Sequence, residues 1–145
     1  MEQRANMITL AVENLARSKK FYEDVVGWQA EPNLPKIVFF RLDGLVLALT
    51  SYADLAVSMN ASPEVLKACQ YSKCQMSDLV RTREEVDEIF DRVKRKDAKI
   101  LKEPESLFWG GYYFSFADPD GHCWRVIFHP HWTVGEDGRI SPVRN

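Results

Sequence analysis

Apolar and polar positions recur along this chain in the same order twice. Residues 7–12, MITLAV, form a mostly apolar run with Thr9 inside it, as in a largely buried strand. Asn14 then opens a stretch in which Leu15, Phe21, Tyr22, Val25 and Val26 fall on one stripe. That spacing predicts a helix capped by Asn14 and closed by Gly27. Pro32 and Pro35 interrupt the chain before two strands, 37–42 and 45–50, joined at Asp43-Gly44, a two-residue hairpin signal. From residue 74 the order returns: a strand over 74–80, a helix, a short strand at 99–101, and strands at 112–117 and 122–129. Thr82-Arg83-Glu84-Glu85 reads as a capping box in which Glu85 reaches back to the Thr82 amide. Val86, Ile89, Phe90 and Val93 repeat at helical spacing. Asp118-Pro119-Asp120-Gly121 is a turn.

Aligning the copies pairs Met7 with Gln75 and Ala48 with Arg125. The offset grows along the chain because the second copy carries a longer middle loop, KEPESLFWGG, expected to begin at Glu103-Pro104-Glu105. The expected fold is α+β: two tandem βαβββ modules forming a curved mixed sheet around a cleft. Module one is 7–52 and module two is 73–130 of a single domain. The connector, 53–72, begins in a turn of helix or irregular chain and carries a short helix near 63–69, started by Ser62-Pro63-Glu64. The tail, 131–145, has no period and is expected to wrap over the surface with Trp132 as an anchor.

Composition narrows the function. With 46% hydrophobic residues in 145, the chain can bury a core. Nineteen basic and 21 acidic side chains leave a net charge of −2, which builds no field for nucleic acid or an anionic membrane. The basic run from Arg92 to Lys99 reads as a solvated helix end. The polar start, MEQRANM, and the lack of a long apolar run predict neither a signal peptide nor a membrane span. Three cysteines, Cys69, Cys74 and Cys123, an odd count without CxxC, fit a reducing cytoplasm.

FYEDVVGW, FFRLDGLVLAL, FWGGYYFSFADPDGHCWRV and the DGRI of the tail carry a resemblance. The chain resembles the glyoxalase / bleomycin-resistance / extradiol-dioxygenase (vicinal-oxygen-chelate) superfamily over roughly residues 7–130, and a glyoxalase-like branch in particular. The resemblance implies the two-module fold and a homodimer, but not the reaction, since the fold hosts lyases, dioxygenases, epimerases, thiol transferases and antibiotic-binding proteins. It also implies four positions for divalent-metal ligands, which fall on Met7, Ala48, Gln75 and Arg125. Strand alternation supports the placement: Ala48 shares a face with Val46 and Thr50, and Arg125 with Cys123 and Ile127. A divalent cation needs several converging donors. A thioether, a methyl group, one amide and a guanidinium do not supply them, so no metal or other cofactor is expected.

Arg125 is the leading ligand-binding candidate, a permanent cation in a strand of Trp, Val, Ile and Phe. A guanidinium in a concave pocket suits a carboxylate, phosphate or phenolate. Its alternative is an ion pair with Asp78 or Asp118, or a place at a dimer seam. Trp109, beside Gly110-Gly111, is either a cover for a ligand or a loop aromatic packed on the core. Met7, Thr9, Gln75 and Ser77 line the pocket by alternation. Cys123 shares Arg125's face but has no paired histidine, so a packed thiol is the simpler reading. His122, His129 and His131 read as surface or tail residues, and Trp28 and Phe39 as core. Asp78 interrupts its strand's apolar pattern without an assigned role. The expected function is a small-molecule-binding protein for an aromatic or anionic ligand. The alternatives are a metal-dependent lyase or dioxygenase of the same superfamily, and a structural homodimer without ligand.

Overall fold

The computed structural model describes residues 5–32, 34–68 and 74–142. Contacts divide the chain into two units, Met1–Tyr71 and Ser72–Asn145. In the first, β1 (Met7–Val12), β2 (Ile37–Leu42) and β3 (Leu45–Ser51) form a sheet in the order β1-β3-β2. Strand β3 runs parallel to β1 and antiparallel to β2. Helix α1 (Leu15–Phe21) starts where the Asn14 side chain accepts the Arg17 amide at 2.9 Å, and it widens into a π-turn over Tyr22–Val26. Gly27 ends it at φ 88°, a left-handed conformation that any side chain would strain.

Register puts Leu10, Val12, Val38, Phe40, Leu47 and Leu49 on the face that meets this helix, and all six are buried. Tyr22 closes that layer, with its ring 5.5 Å from Phe40 and stacked on half-buried Trp28 at 5.7 Å. Full burial of such side chains contributes about 1.5–3 kcal/mol each. The alternation that produces this layer also fixes the register, because a slip of one residue would turn it to the other face.

Only two strands follow the helix here among the described residues. The third strand of the expected βαβββ module is reduced to one bridge, Ala30 to Phe40, with the Glu31 amide donating to the Phe39 carbonyl at 2.8 Å. Pro32 and Pro35 supply no amide donors to continue the ladder. The connector is more helical than its sequence suggests: α2 (Tyr52–Met59) is capped by Ser51, which accepts the Asp54 amide at 3.1 Å, and α3 (Pro63–Ala68) follows. Cys69 lies outside the described residues.

In the second unit, β4 (Gln75–Val80), β5 (Lys99–Ser106), β6 (Tyr112–Ala117) and β7 (Cys123–Phe128) form a sheet in the order β4-β7-β6-β5, with β4 parallel to β7. Helix α4 (Arg83–Arg95) packs on the face carrying Met76, Phe114, Phe116, Trp124 and Val126, all buried. Val86 and Val93 are sealed from the helix side, and Phe90 meets Phe114 edge-on at 5.3 Å.

Three sequence expectations are corrected here. Thr82 does cap α4, accepting the Glu85 amide at 3.1 Å. The Glu85 carboxylate, however, accepts from Arg81 at 2.7 Å rather than from Thr82, because Arg81, just past the end of β4, has an amide outside the ladder. Strand β5 continues to Ser106 through Glu103-Pro104-Glu105. It is an edge strand, and two register shifts absorb the extra residues and the proline. The tail is not irregular: β8 (Trp132–Val134) and β9 (Ile140–Pro142) pair as a hairpin, tied to the end of β4 by Arg81 Nη2 donating to the Gly135 carbonyl at 2.6 Å. Trp132 is 40% exposed and so is no buried anchor. Among the described residues no helix is long and apolar enough to cross a membrane.

Candidate functional site

The face of the second sheet turned away from α4 carries most of the candidates. Register aligns Gln75 with Cys123 and Ala117, Ser77 with Arg125 and Ser115, and Leu79 with Ile127 and Tyr113. On the far edge Lys102 opposes Ser115 and Glu105 opposes Tyr113. One row across four strands therefore reads Ser77, Arg125, Ser115, Lys102. Arg125 Nε donates to Ser77 Oγ at 3.1 Å, and Gln75 Nε2 donates to Cys123 Sγ at 3.2 Å. Gln75, Ser77, Cys123 and Arg125 are thus brought together on one surface.

Neither acid named as an alternative partner reaches Arg125. Asp78 lies on the helix-facing side. Asp118 is buried and accepts the Asp120 and His122 amides at 3.0 and 2.8 Å, holding the turn before β7. Among the described residues Arg125 has no carboxylate partner. With Nε occupied by Ser77, its Nη1 and Nη2 fork stays open for a planar or tetrahedral anion. The other cation of the row is already neutralised. Lys102 Nζ lies 2.6 Å from Glu105, Tyr113 O–H donates to the same carboxylate at 3.3 Å, and the Lys102–Glu105 hydrogen bond raises the lysine's pKa and lowers the glutamate's.

Trp109 is packed rather than loose. Arg83 on α4 donates to Ser106 Oγ at 3.2 Å and to the Gly110 carbonyl at 3.0 Å, with its guanidinium over the Tyr112 ring. This fixes the turn in which Trp109 sits. The indole lies over Gly111, where a Cβ would collide with it, and tilts against His129 at 4.6 Å. His129 is therefore not a plain surface histidine. It continues the alternation of Arg125 and Ile127 past the strand end, and its Nδ1 accepts the His131 amide at 3.2 Å. Burial, then His131, then Arg125 hold its pKa below 6.5. The sequence signal was available in the period-two spacing 125, 127, 129.

Met7 and Thr9 belong to the first unit, on the face of its sheet away from α1. Thr9 is exposed and aligns with buried Ala48 and then Phe39. Met7, 49% exposed, aligns with Val46 and Arg41. Phe39 is not core: with Met7, Leu34 and Val46 it lines an open hollow of about 340 Å³, and Arg41 Nε and Glu31 form a 3.1 Å ion pair there. At the four positions where the fold family places metal ligands, Ala48 offers a sealed methyl group and Arg125 a cation. Met7 offers a thioether, and the Gln75 amide nitrogen is committed to Cys123. Only the Gln75 carbonyl is a hard donor, so this set does not fit a divalent cation. Among the described residues no three His, Cys, Asp or Glu side chains cluster for one.

Asp78, left without a role by the sequence, borders a second-unit recess of about 370 Å³ with Glu85, Glu88, Ile89 and Val134. The recess leaves its carboxyl open to solvent on one side, yet the surrounding protein strips enough water from it to raise its pKa. Glu85 adds to that shift and Arg92 opposes it.

Two units, each a mixed sheet whose first strand runs parallel to its last, with a helix on one face, define the fold of a known superfamily. The chain belongs to the Glyoxalase/Bleomycin resistance protein/Dioxygenase superfamily, whose family model matches residues 4–126. None of the curated proteins matches the sequence. Among solved structures, a glyoxalase-related enzyme from Fulvimarina pelagi is 28% identical, with 96% of this chain and 97% of that chain covered and a TM-score of 0.84. A lactoylglutathione lyase from Agrobacterium tumefaciens is 19% identical (88% and 95% covered, TM-score 0.69). A genomically encoded fosfomycin resistance protein from Listeria monocytogenes is 21% identical (89% and 95%, TM-score 0.68). The last two share the fold; their chemistry does not transfer on that ground.

Proposed function

We propose that this protein binds a small molecule, aromatic or anionic, against the helix-free face of its second sheet, with Arg125 as the anchor and without a divalent metal. The observation that carries the reading is Arg125 itself: half-buried, oriented by Ser77, and without a carboxylate partner among the described residues. A guanidinium taken partly out of water without a counter-charge costs free energy, which an anionic ligand would offset. Gln75, Ser77 and Cys123 adjoin it, and Trp109 with His129 supplies aromatic surface. The proposal includes a homodimer and a reducing, cytoplasmic setting, the latter supported by an odd count of three cysteines without a CxxC spacing.

A thermal-shift screen of aromatic acids and thiol conjugates tests this. A ligand at 100 times its Kd stabilises by about 2.7 kcal/mol. Arg125→Ala should abolish the shift, and an unchanged shift would remove Arg125 from the site. Stoichiometric Ni, Fe, Mn or Zn in purified protein would favour a metal-dependent lyase or dioxygenase instead.

A further inference from the structure

We infer that Ser115 is the second contact point of this site, and that the group it recognises together with Arg125 is an oxyanion: a carboxylate, phosphate or phosphonate. The inference rests on the reading of Arg125 as a ligand anchor.

Ser115 lies in β6 with Arg125 beside it on β7 and Lys102 on β5, and alternation puts its side chain on the same face as both. It is 6% exposed, the one hydroxyl in the strand core Phe114-Ser115-Phe116. Among the described residues its hydroxyl has no hydrogen-bond partner, and no fully sealed side-chain oxygen or nitrogen lacks one. The Ser115 oxygen is therefore not enclosed; it opens onto the face it shares with Arg125. A hydroxyl with this little access to water and no protein partner contributes nothing to the fold, and alanine would serve the sheet about as well.

The neighbouring groups decide what it awaits. Arg125 presents Nη1 and Nη2, and Ser77, which accepts from Nε, keeps its own proton to donate. The Lys102–Glu105–Tyr113 cluster is internally satisfied, and Asp78 is on the other face. The open groups around Ser115 are thus donors next to one uncompensated positive charge. Such a surface favours a group with at least two acceptor oxygens and a negative charge over a neutral or cationic one.

Calorimetric titration of the full chain with benzoate, phenylphosphonate and neutral benzyl alcohol tests this. One or both anions should bind the wild type at least about tenfold tighter than benzyl alcohol, and their ratio tells a planar from a tetrahedral group. Ser115→Ala should weaken the anion about tenfold, the scale of one lost hydrogen bond to a charged group, and leave benzyl alcohol unchanged. Ser115→Thr should restore most of the loss, and apo Ser115→Ala should melt no lower than the wild type. Wild-type anion affinity in Ser115→Ala, an equal loss for the neutral probe, or a clearly lower apo melting temperature would each overturn the inference. Equal wild-type affinity for anions and benzyl alcohol would overturn it too, while leaving the small-molecule reading standing. Binding of no probe at all would bring down both.

Discussion

The same row of the same sheet exists twice in this molecule with opposite chemistry. In the first unit it reads Thr9, Ala48, Phe39; in the second, Ser77, Arg125, Ser115. The helix-facing layers do not diverge in this way. Phe40, Leu47 and Leu49 in one unit and Phe114, Trp124 and Val126 in the other are all buried apolar side chains. Half of each strand is thus held by folding, because its side chains form the layer against the helix. The other half is released from that demand, and there one repeat keeps an apolar hollow while the other collects donors. A metal-ligand set drawn from both repeats would need a donor at each matched position, and neither Ala48 nor Arg125 offers one.

The largest expected effects test whether the two layers differ in this way. Phe114→Ala and Phe40→Ala, each emptying a fully buried ring position, should destabilise by about 3–5 kcal/mol, seen as lower urea midpoints. Arg125→Ala should change stability by less than about 1 kcal/mol and should stabilise if its charge is uncompensated. A loss for Arg125→Ala as large as for Phe114→Ala would mean that the helix-free face is as constrained as the core, and the contrast between layers would collapse.

A smaller effect concerns the loop that only the second unit carries. Arg83 holds it through Ser106 and Gly110. These bonds are solvent-exposed, so Arg83→Ala should cost about 1 kcal/mol. Its sharper signature is a red-shifted Trp109 emission as the indole leaves His129, read against a Trp109→Phe control. Arg83→Lys should not restore it, because one ammonium cannot span both acceptors. An unshifted spectrum in Arg83→Ala would show that stacking on His129 alone fixes the ring.

What could be read from the sequence follows from the same division. Alternation in 45–50 and 123–128 was enough to place Ala48 and Arg125 on the face opposite their buried leucines and aromatics, since period two is a property of the backbone. Asn14, Thr82 and Gly27 marked helix ends because capping is local. Strand β5 past Pro104 was not legible: whether a proline is tolerated depends on the strand being at an edge, which is set by the order of β4, β7, β6 and β5 in space. Ser115 was missed for a related reason. A serine between phenylalanines looks like filler until register sets it beside a guanidinium and, among the described residues, its hydroxyl is left without a hydrogen-bond partner.

The smallest expected effect lies where the helix-facing layers themselves differ. In the repeat alignment Asp78 stands where the first unit has Leu10, which is buried. Burial first, then Glu85, raise the Asp78 carboxyl above its ordinary 3.8, with Arg92 opposing. The folded chain therefore holds this proton more tightly than the unfolded chain does. Between 3.8 and the raised value the folded state carries more protons, so stability falls as pH rises through that window and stays lower above it. Asp78→Asn removes the contribution, and Asp78→Leu restores the first unit's choice. Both variants should gain on the wild type as pH is raised from below 3.8 to neutrality, measured as the difference in urea midpoints. Carboxylates that do not interact with Asp78 cancel in that difference, and the repulsion from Glu85 is part of what it measures. A difference that stays flat across the series would show that water entering the recess hydrates the carboxylate as fully as bulk solvent does, and the second unit would then tolerate a charge in this layer at no cost.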